Sequence, residues 1–130
     1  MAFYLETSAA VKLVASEPHS KAMSAWAGAH SDSVVSSDLL RSELLRATLR
    51  GSPDKMPRAR EVLDSITIIT QPTPLFERAA ELEPTLLRSL DALHLAAALD
   101  LGDELDGIVT YDDRLTEAAK LHGVPVIAPT

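Results

Sequence analysis

A chain of 130 residues that is 46% hydrophobic and 24% charged has the apolar content for one domain, which at this size buries roughly two-thirds of its unfolded surface, and is too apolar for a disordered polymer. Cysteine is absent, so disulfide scaffolds, thiolate metal sites and cysteine nucleophiles are excluded, and a reducing cytoplasm suits the composition. The net charge of −7, from 19 acids against 12 bases, argues against a generic electrostatic grip on nucleic acid, although not against a phosphate reached through bound cations.

Phe3-Tyr4-Leu5 opens the chain as a short strand, and Glu6 follows it directly. That acid, with no basic leader before it, argues against a signal peptide, and no uncharged apolar run is long enough to span a bilayer. A cytoplasmic protein without membrane association is expected. Helical patterns follow over about 8–16 and 19–29, where Leu13, Val14, Met23 and Trp26 are either core or the lining of a groove for a partner helix. After the strand at Val34-Val35, a helix over about 38–50 carries Leu40, Glu43, Leu44 and Ala47 at i, i+3, i+4, i+7 spacing, which puts Glu43 in the buried stripe. Gly51-Ser52-Pro53 turns the chain into a helix over about 57–64 and a strand at Ile66-Thr67-Ile68-Ile69; Gln71-Pro72-Thr73-Pro74 then leads to a helix over about 74–83. Asp91 opens a segment, about 90–101, that is apolar around nearly its whole circumference. Ile108-Val109 is the fourth strand, and Asp112 lies three residues beyond it. A helix over about 114–122 ends at Gly123, and Val124 to Ile127 forms a last strand whose Pro125 marks a sheet edge.

Strands alternating with helices predict an α/β domain with a short, mostly parallel five-stranded sheet between two helical layers. Glu6 and Asp112 then lie at carboxyl ends of strands, the edge at which open α/β sheets bind ligands. Glu43 and Asp91 interrupt buried helical faces, where an isolated charge is costly. Each has an ordinary explanation, since Asp91 and Asp112 suit helix starts, Glu6 suits a cap and Glu43 suits the edge of a stripe. Gathered together without a cation, the four would repel one another and some would take up protons, which a shared divalent ion resolves.

Tyr4-Leu5-Glu6-Thr7-Ser8-Ala9, Ser42-Glu43-Leu44, Leu90-Asp91-Ala92-Leu93-His94-Leu95-Ala96 and Thr110-Tyr111-Asp112-Asp113-Arg114-Leu115 resemble the motifs of PIN-domain ribonucleases, and more narrowly of VapC toxins from type II toxin–antitoxin modules. The resemblance spans residues 1–130 and implies a single PIN domain, with Glu6, Glu43, Asp91 and Asp112 holding Mg²⁺, or Mn²⁺ in its place, for endoribonucleolytic hydrolysis by a metal-activated water. It also implies a VapB-type antitoxin, a homodimer and toxin–antitoxin hetero-oligomers, and a structured RNA substrate, with tRNA and rRNA both precedents. The departure is Glu6, where the family carries Asp: the extra methylene moves the carboxylate by up to about 1.5 Å. Glu6 is either a natural variant that still ligates or a change introduced to lower toxicity, keeping the charge and the fold while disturbing the site.

Thr7, Ser8 and Thr110 adjoin the strand-end acids and can orient a carboxylate or a metal-bound water, and Asp113 can assist Asp112, although caps and turns use the same residues. Lys12, Arg41, Arg46, Arg88 and Arg114 are candidate phosphate contacts or plain solvated surface. His94, among leucines and alanines, reads as a satisfied core histidine. Two other functions compete. A catalytically impaired antitoxin-binding partner would keep the fold, and a phosphoacceptor receiver would need an acidic acceptor after the third strand, where the chain has Thr70-Gln71.

Overall fold

A computed structural model describes all residues, 1–130. Five parallel strands, β1 (Ala2–Leu5), β2 (Val34–Ser37), β3 (Thr67–Ile69), β4 (Leu105–Val109) and β5 (Val126–Ile127), form one sheet in the order β3-β2-β1-β4-β5. The expected α/β architecture is thus borne out, with every strand pair parallel rather than most of them. Seven α-helices connect or follow the strands: α1 (Thr7–Val11), α2 (Ser20–Ala29), α3 (Leu39–Gly51), α4 (Met56–Asp64), α5 (Thr73–Ala80), α6 (Ser89–Leu99) and α7 (Asp113–Leu121). None is long and apolar enough to cross a membrane.

The period-2 geometry of the strands divides the core. Leu5 and Val109 face a cluster built with Ala9, Met23, Leu40, Leu44 and Val62 from α1 to α4. Their neighbours Tyr4 and Ile108 face the opposite cluster, with Leu95 and Ala98 of α6 and Leu115 and Ala119 of α7. Alanines on α6 keep that helix close to its surroundings, and a third cluster, Leu75, Ala79, Ala92 and Ala96, ties it to α5. Val14 and Met23 are buried in the first cluster, and Leu13 and Trp26, half-buried, pack against it.

Two helices end earlier than their periodicity suggests. After Val11 the hydrogen bonds of the first helix shorten to i→i−3, with Lys12 N–H on the Ala9 carbonyl and Leu13 N–H on Ala10, so it tightens into turns. The helix expected to reach residue 83 stops at Ala80, because Glu81 and Leu82 likewise donate to the carbonyls three residues back and Pro84 prevents renewed propagation.

β1 lies centrally, with β2 and β3 to one side and β4 and β5 to the other, so the chain reverses its direction of travel between β1 and β4. At such a switch point the loops after the two strands diverge and leave a crevice. Glu6 leaves β1 there, and Thr110, Tyr111 and Asp112 leave β4.

Candidate active site

Glu6 is only 7% exposed despite its charge. Its backbone N–H donates to Val109 O at 3.1 Å, which continues the β1–β4 pairing by one residue and fixes where the side chain starts. Oε1 accepts hydrogen bonds from Ser8 Oγ at 2.5 Å and Thr110 Oγ1 at 2.6 Å. Those hydroxyls in turn accept the Tyr111 and Asp112 backbone N–H groups at 2.9 and 3.1 Å. Each hydroxyl has a single proton, already given to Glu6, so the 3.2 Å approach of Ser8 Oγ to Thr110 Oγ1 is a contact between acceptors.

Asp112 is the N-cap of α7 and accepts the Leu115 N–H through Oδ1 at 2.8 Å, so the ordinary role of such a residue and a site role coexist in one side chain. Asp91 lies in the first turn of α6, with its side chain 14% exposed. Its Oδ2 is buried and has no hydrogen-bond partner, and Arg88 Nε stands 3.7 Å away, beyond hydrogen-bond range. Burial pushes the Asp91 carboxyl above its ordinary value, and the charges of Asp112 and Glu6 push it further, against smaller opposing effects of Arg88 and His94. Glu6, Asp91 and Asp112 therefore form one electrostatic group.

Glu43 stands differently. Thr7 Oγ1 donates to its Oε1 at 2.7 Å, and His94 Nε2 lies 2.5 Å from the same oxygen. Burial alone would raise the Glu43 carboxyl, but the hydrogen bond and favourable electrostatics of His94, with help from Thr7, leave it below its usual range. Glu43 and Asp91 share a cavity of about 320 Å³ with Arg88, Ser89 and Leu90. Glu43 and Asp91 thus line one cavity, and Asp112 and Glu6 act on Asp91 through their charges, while no three acidic or histidine side chains stand in an arrangement that would by itself hold a metal ion.

Thr7, Ser8 and Thr110 all contact the acids as anticipated. Asp113 is exposed at the start of α7 and makes no hydrogen bond to the cluster. Arg41 and Arg114 are exposed and without ion pairs, and Arg88 sits at the lip. Lys12 departs from expectation: its side chain is 11% exposed, Nζ donates to Pro18 O at 2.9 Å and lies 4.6 Å from the Tyr111 ring centre, so it anchors a loop instead of reaching solvent for phosphate. His94 is the satisfied core histidine expected from its neighbours, yet one of the groups that satisfies it is Glu43. The receiver alternative fails on topology as well as sequence, because receivers order their strands 2-1-3-4-5.

A family profile described as PIN domain matches residues 3–121. The chain is 39% identical over 130 residues to Ribonuclease VapC47 and 40% identical over 129 residues to Ribonuclease VapC46, both from Mycobacterium tuberculosis, with coverage of 97% and 99% of this chain and 96% and 98% of those proteins. Ribonuclease VapC35 of the same organism is 39% identical over 129 residues. In fold, the chain matches the crystal structure of Mycobacterium tuberculosis VapC20, a sarcin-ricin loop cleaving toxin, with a TM-score of 0.74 across 90% of this chain and 95% of that one at 13% identity. With its acids at the switch point of an all-parallel sheet and full-length relatives of this closeness, the chain belongs to the PIN-domain family and, within it, to the VapC ribonucleases.

Proposed function

We propose that this chain is the endoribonuclease toxin of a type II toxin–antitoxin pair, hydrolysing RNA phosphodiester bonds with Mg²⁺, or Mn²⁺ in its place, held by Glu6, Asp91 and Asp112 with Glu43 beside them. The observation that carries the reading is Asp91 Oδ2, a buried carboxylate oxygen with no hydrogen-bond partner, pressed by the charges of Asp112 and Glu6 and only loosely approached by Arg88 at 3.7 Å. Such an atom calls for a cation, and an all-oxygen donor set suits a hard one. The names and near full-length similarity of the VapC relatives support the ribonuclease assignment.

A bound divalent ion would lower the pKa of a water and offset the charge of the scissile phosphate. The protein's own groups do the rest. Ser8 and Thr110 hold Glu6 by one oxygen and leave Oε2 free of hydrogen bonds. Thr7 and His94 hold Glu43 in the same way by Oε1. Asp112 keeps Oδ1 on the α7 backbone and presents its other oxygen. Arg88, at the cavity lip, is placed to meet a substrate phosphate. Because both ring nitrogens of His94 are engaged, it is not free to serve as the general base that a 2′-hydroxyl transfer would require, and hydrolysis to a 5′-phosphate and a 3′-hydroxyl fits these groups better.

The substrate is a structured RNA, tRNA or rRNA, met in the cytoplasm, and the partners are a VapB-type antitoxin and a second copy of the chain. The acidic net charge suits an antitoxin with a basic tail. One observation favours a weaker enzyme: Glu6 is one methylene longer than the family's Asp, so the carboxylate that Ser8 and Thr110 hold stands up to about 1.5 Å farther from β1. Incubation of the purified chain with total RNA and Mg²⁺ or Mn²⁺ tests both readings. Discrete fragments that vanish with chelator and with Asp91→Asn support the ribonuclease; intact RNA from both the parent and Glu6→Asp would leave only an antitoxin-binding role.

A further inference from the structure

Behind Glu43 a line of polar side chains runs through the apolar layer between the sheet and α6. Ser37 ends β2, Tyr4 lies in β1 and His94 in α6, and each is at most 1% exposed. Ser37 Oγ is 2.8 Å from the Tyr4 hydroxyl, which is 2.7 Å from His94 Nδ1, and His94 Nε2 is 2.5 Å from Glu43 Oε1. The imidazole also stands edge-on to the Tyr4 ring, with centroids 5.7 Å apart at 69°, so its tilt is set by packing as well as by its two hydrogen bonds.

The bond to Glu43 has a fixed direction, and the other two follow the charge of the imidazole. A tyrosine phenol is O–H at neutral pH, so Tyr4 can donate one hydrogen bond and accept others. A carboxylate oxygen can only accept, so His94 Nε2 carries a proton toward Glu43. With a neutral imidazole Ser37 donates to Tyr4 and Tyr4 to Nδ1; with an imidazolium Nδ1 donates to Tyr4 and Tyr4 to Ser37; in both arrangements the three bonds form and Nε2–H meets Glu43. Four elements, β2, β1, α6 and α3, thereby contribute one residue each to a single chain that ends on Glu43 Oε1.

Apolar side chains of similar volume would fill this space without desolvating a hydroxyl, a phenol and an imidazole, a replacement that is commonly neutral or stabilising. The network is therefore better explained by what it does to Glu43 than by what it adds to the core. We infer that Ser37, Tyr4 and His94 form a positioning relay that locks Glu43 by Oε1 and so presets Oε2 for the divalent ion; this inference rests on the function proposed above. None of the three is a catalytic residue, since each acts through Glu43.

The test is the Mn²⁺ dissociation constant of the RNA-free protein, measured by titration calorimetry beside thermal unfolding in chelator, for Tyr4→Phe, His94→Leu, His94→Gln, Glu43→Gln and Asp91→Asn. Loss of groups that orient metal ligands typically weakens affinity about 10- to 100-fold. Tyr4→Phe is expected to weaken Mn²⁺ binding about tenfold while its melting temperature stays near the parent's. His94→Leu should weaken binding further, and His94→Gln, which restores an N–H donor and a carbonyl acceptor, should recover part of it. Should His94→Leu fail to fold, Tyr4→Phe and His94→Gln carry the comparison. Parent-like affinity in Tyr4→Phe and His94→Gln beside a weakened Glu43→Gln would overturn the relay and leave the metal site standing. Parent-like affinity in both Glu43→Gln and Asp91→Asn would overturn the metal reading, and the relay with it.

Discussion

Burial raises the free energy of ionised Asp91, and the neighbouring charges of Asp112 and Glu6 raise it again, so the metal-free protein carries strain at this residue. An aspartate whose folded pKa exceeds its unfolded value contributes stability that is complete below the unfolded pKa, about 4, and is lost as pH rises through the folded one. Glu43 runs oppositely: its lowered carboxyl contributes above the ordinary glutamate range and loses that contribution as pH falls. In chelator near pH 7, Asp91→Asn should melt a few degrees above the parent, and the difference should close as the pH is brought to about 4. Calorimetric scans across that range measure it, and a parent more stable than Asp91→Asn at neutral pH would contradict it. Added Mn²⁺ should reverse the order, because only the parent gains from binding. At Glu6, shortening the side chain draws the carboxylate back by up to about 1.5 Å to the position of the family's Asp, and Glu6→Asp should raise metal-dependent RNA cleavage about tenfold, the scale on which groups around a metal tune activity. Equal or lower turnover of the Asp form would show that Glu6 is no handicap. The unusual placement of the four acids was legible in the sequence, because Glu6 and Asp112 follow strands and Glu43 and Asp91 interrupt apolar helical faces. The role of His94 was not, because a core histidine and an orienting one have the same leucine and alanine neighbours, and only the folded distance to Glu43 separates them.

Among the elements, β5 is the most lightly held, two residues at the sheet edge paired through Ile108–Val126 and Val109–Ile127. Its docking depends on Gly107 of β4. A Cβ there would lie 2.3 Å from Ile127 Cδ1 and 3.0 Å from the Pro125 carbonyl oxygen; the isoleucine can rotate away, but the backbone oxygen must give. Gly107→Ala is expected to cost about 1–3 kcal/mol through this overpacking, and amide exchange should place the largest loss of protection on Val126, Ile127 and their β4 partners. Unchanged stability would mean that β5 shifts without penalty. Strand positions were readable from short β-branched or aromatic runs, and the helix over 38–50 from its period. The ends of α1 and α5 were not, since Lys12 to Val14 and Glu81 to Leu82 keep helical composition while their hydrogen bonds have shifted to the i→i−3 pattern. That change is set by where the following loop must go.

At the scale of the whole molecule, a net charge of −7 and a crevice lined with carboxylates mean that RNA meets repulsion unless cations intervene. Lys12 is folded onto the Tyr111 ring and Pro18, so the bases left on the helices that carry or follow the acids are Arg41, Arg46 and Arg114, which carry no ion pair, and Arg88, whose contact with Asp91 is loose. Releasing the counterions of single-stranded phosphates contributes a slope of about −0.7 per contact to a plot of log affinity against log salt. With four arginines available, the slope should be no steeper than about −3, well short of proteins that grip nucleic acid by a basic surface. Fluorescence anisotropy of a labelled RNA, titrated in chelator and again with Mn²⁺ at low temperature, reads both quantities. Binding should be weak in chelator and strengthen with the ion in the parent, and Asp91→Asn should lose most of that gain. A steep slope in chelator would point to a basic RNA surface away from the crevice and would separate substrate capture from the acids. A shallow slope with ion-dependent capture would place recognition at the carboxylates themselves, where a basic antitoxin tail would compete for the same charge.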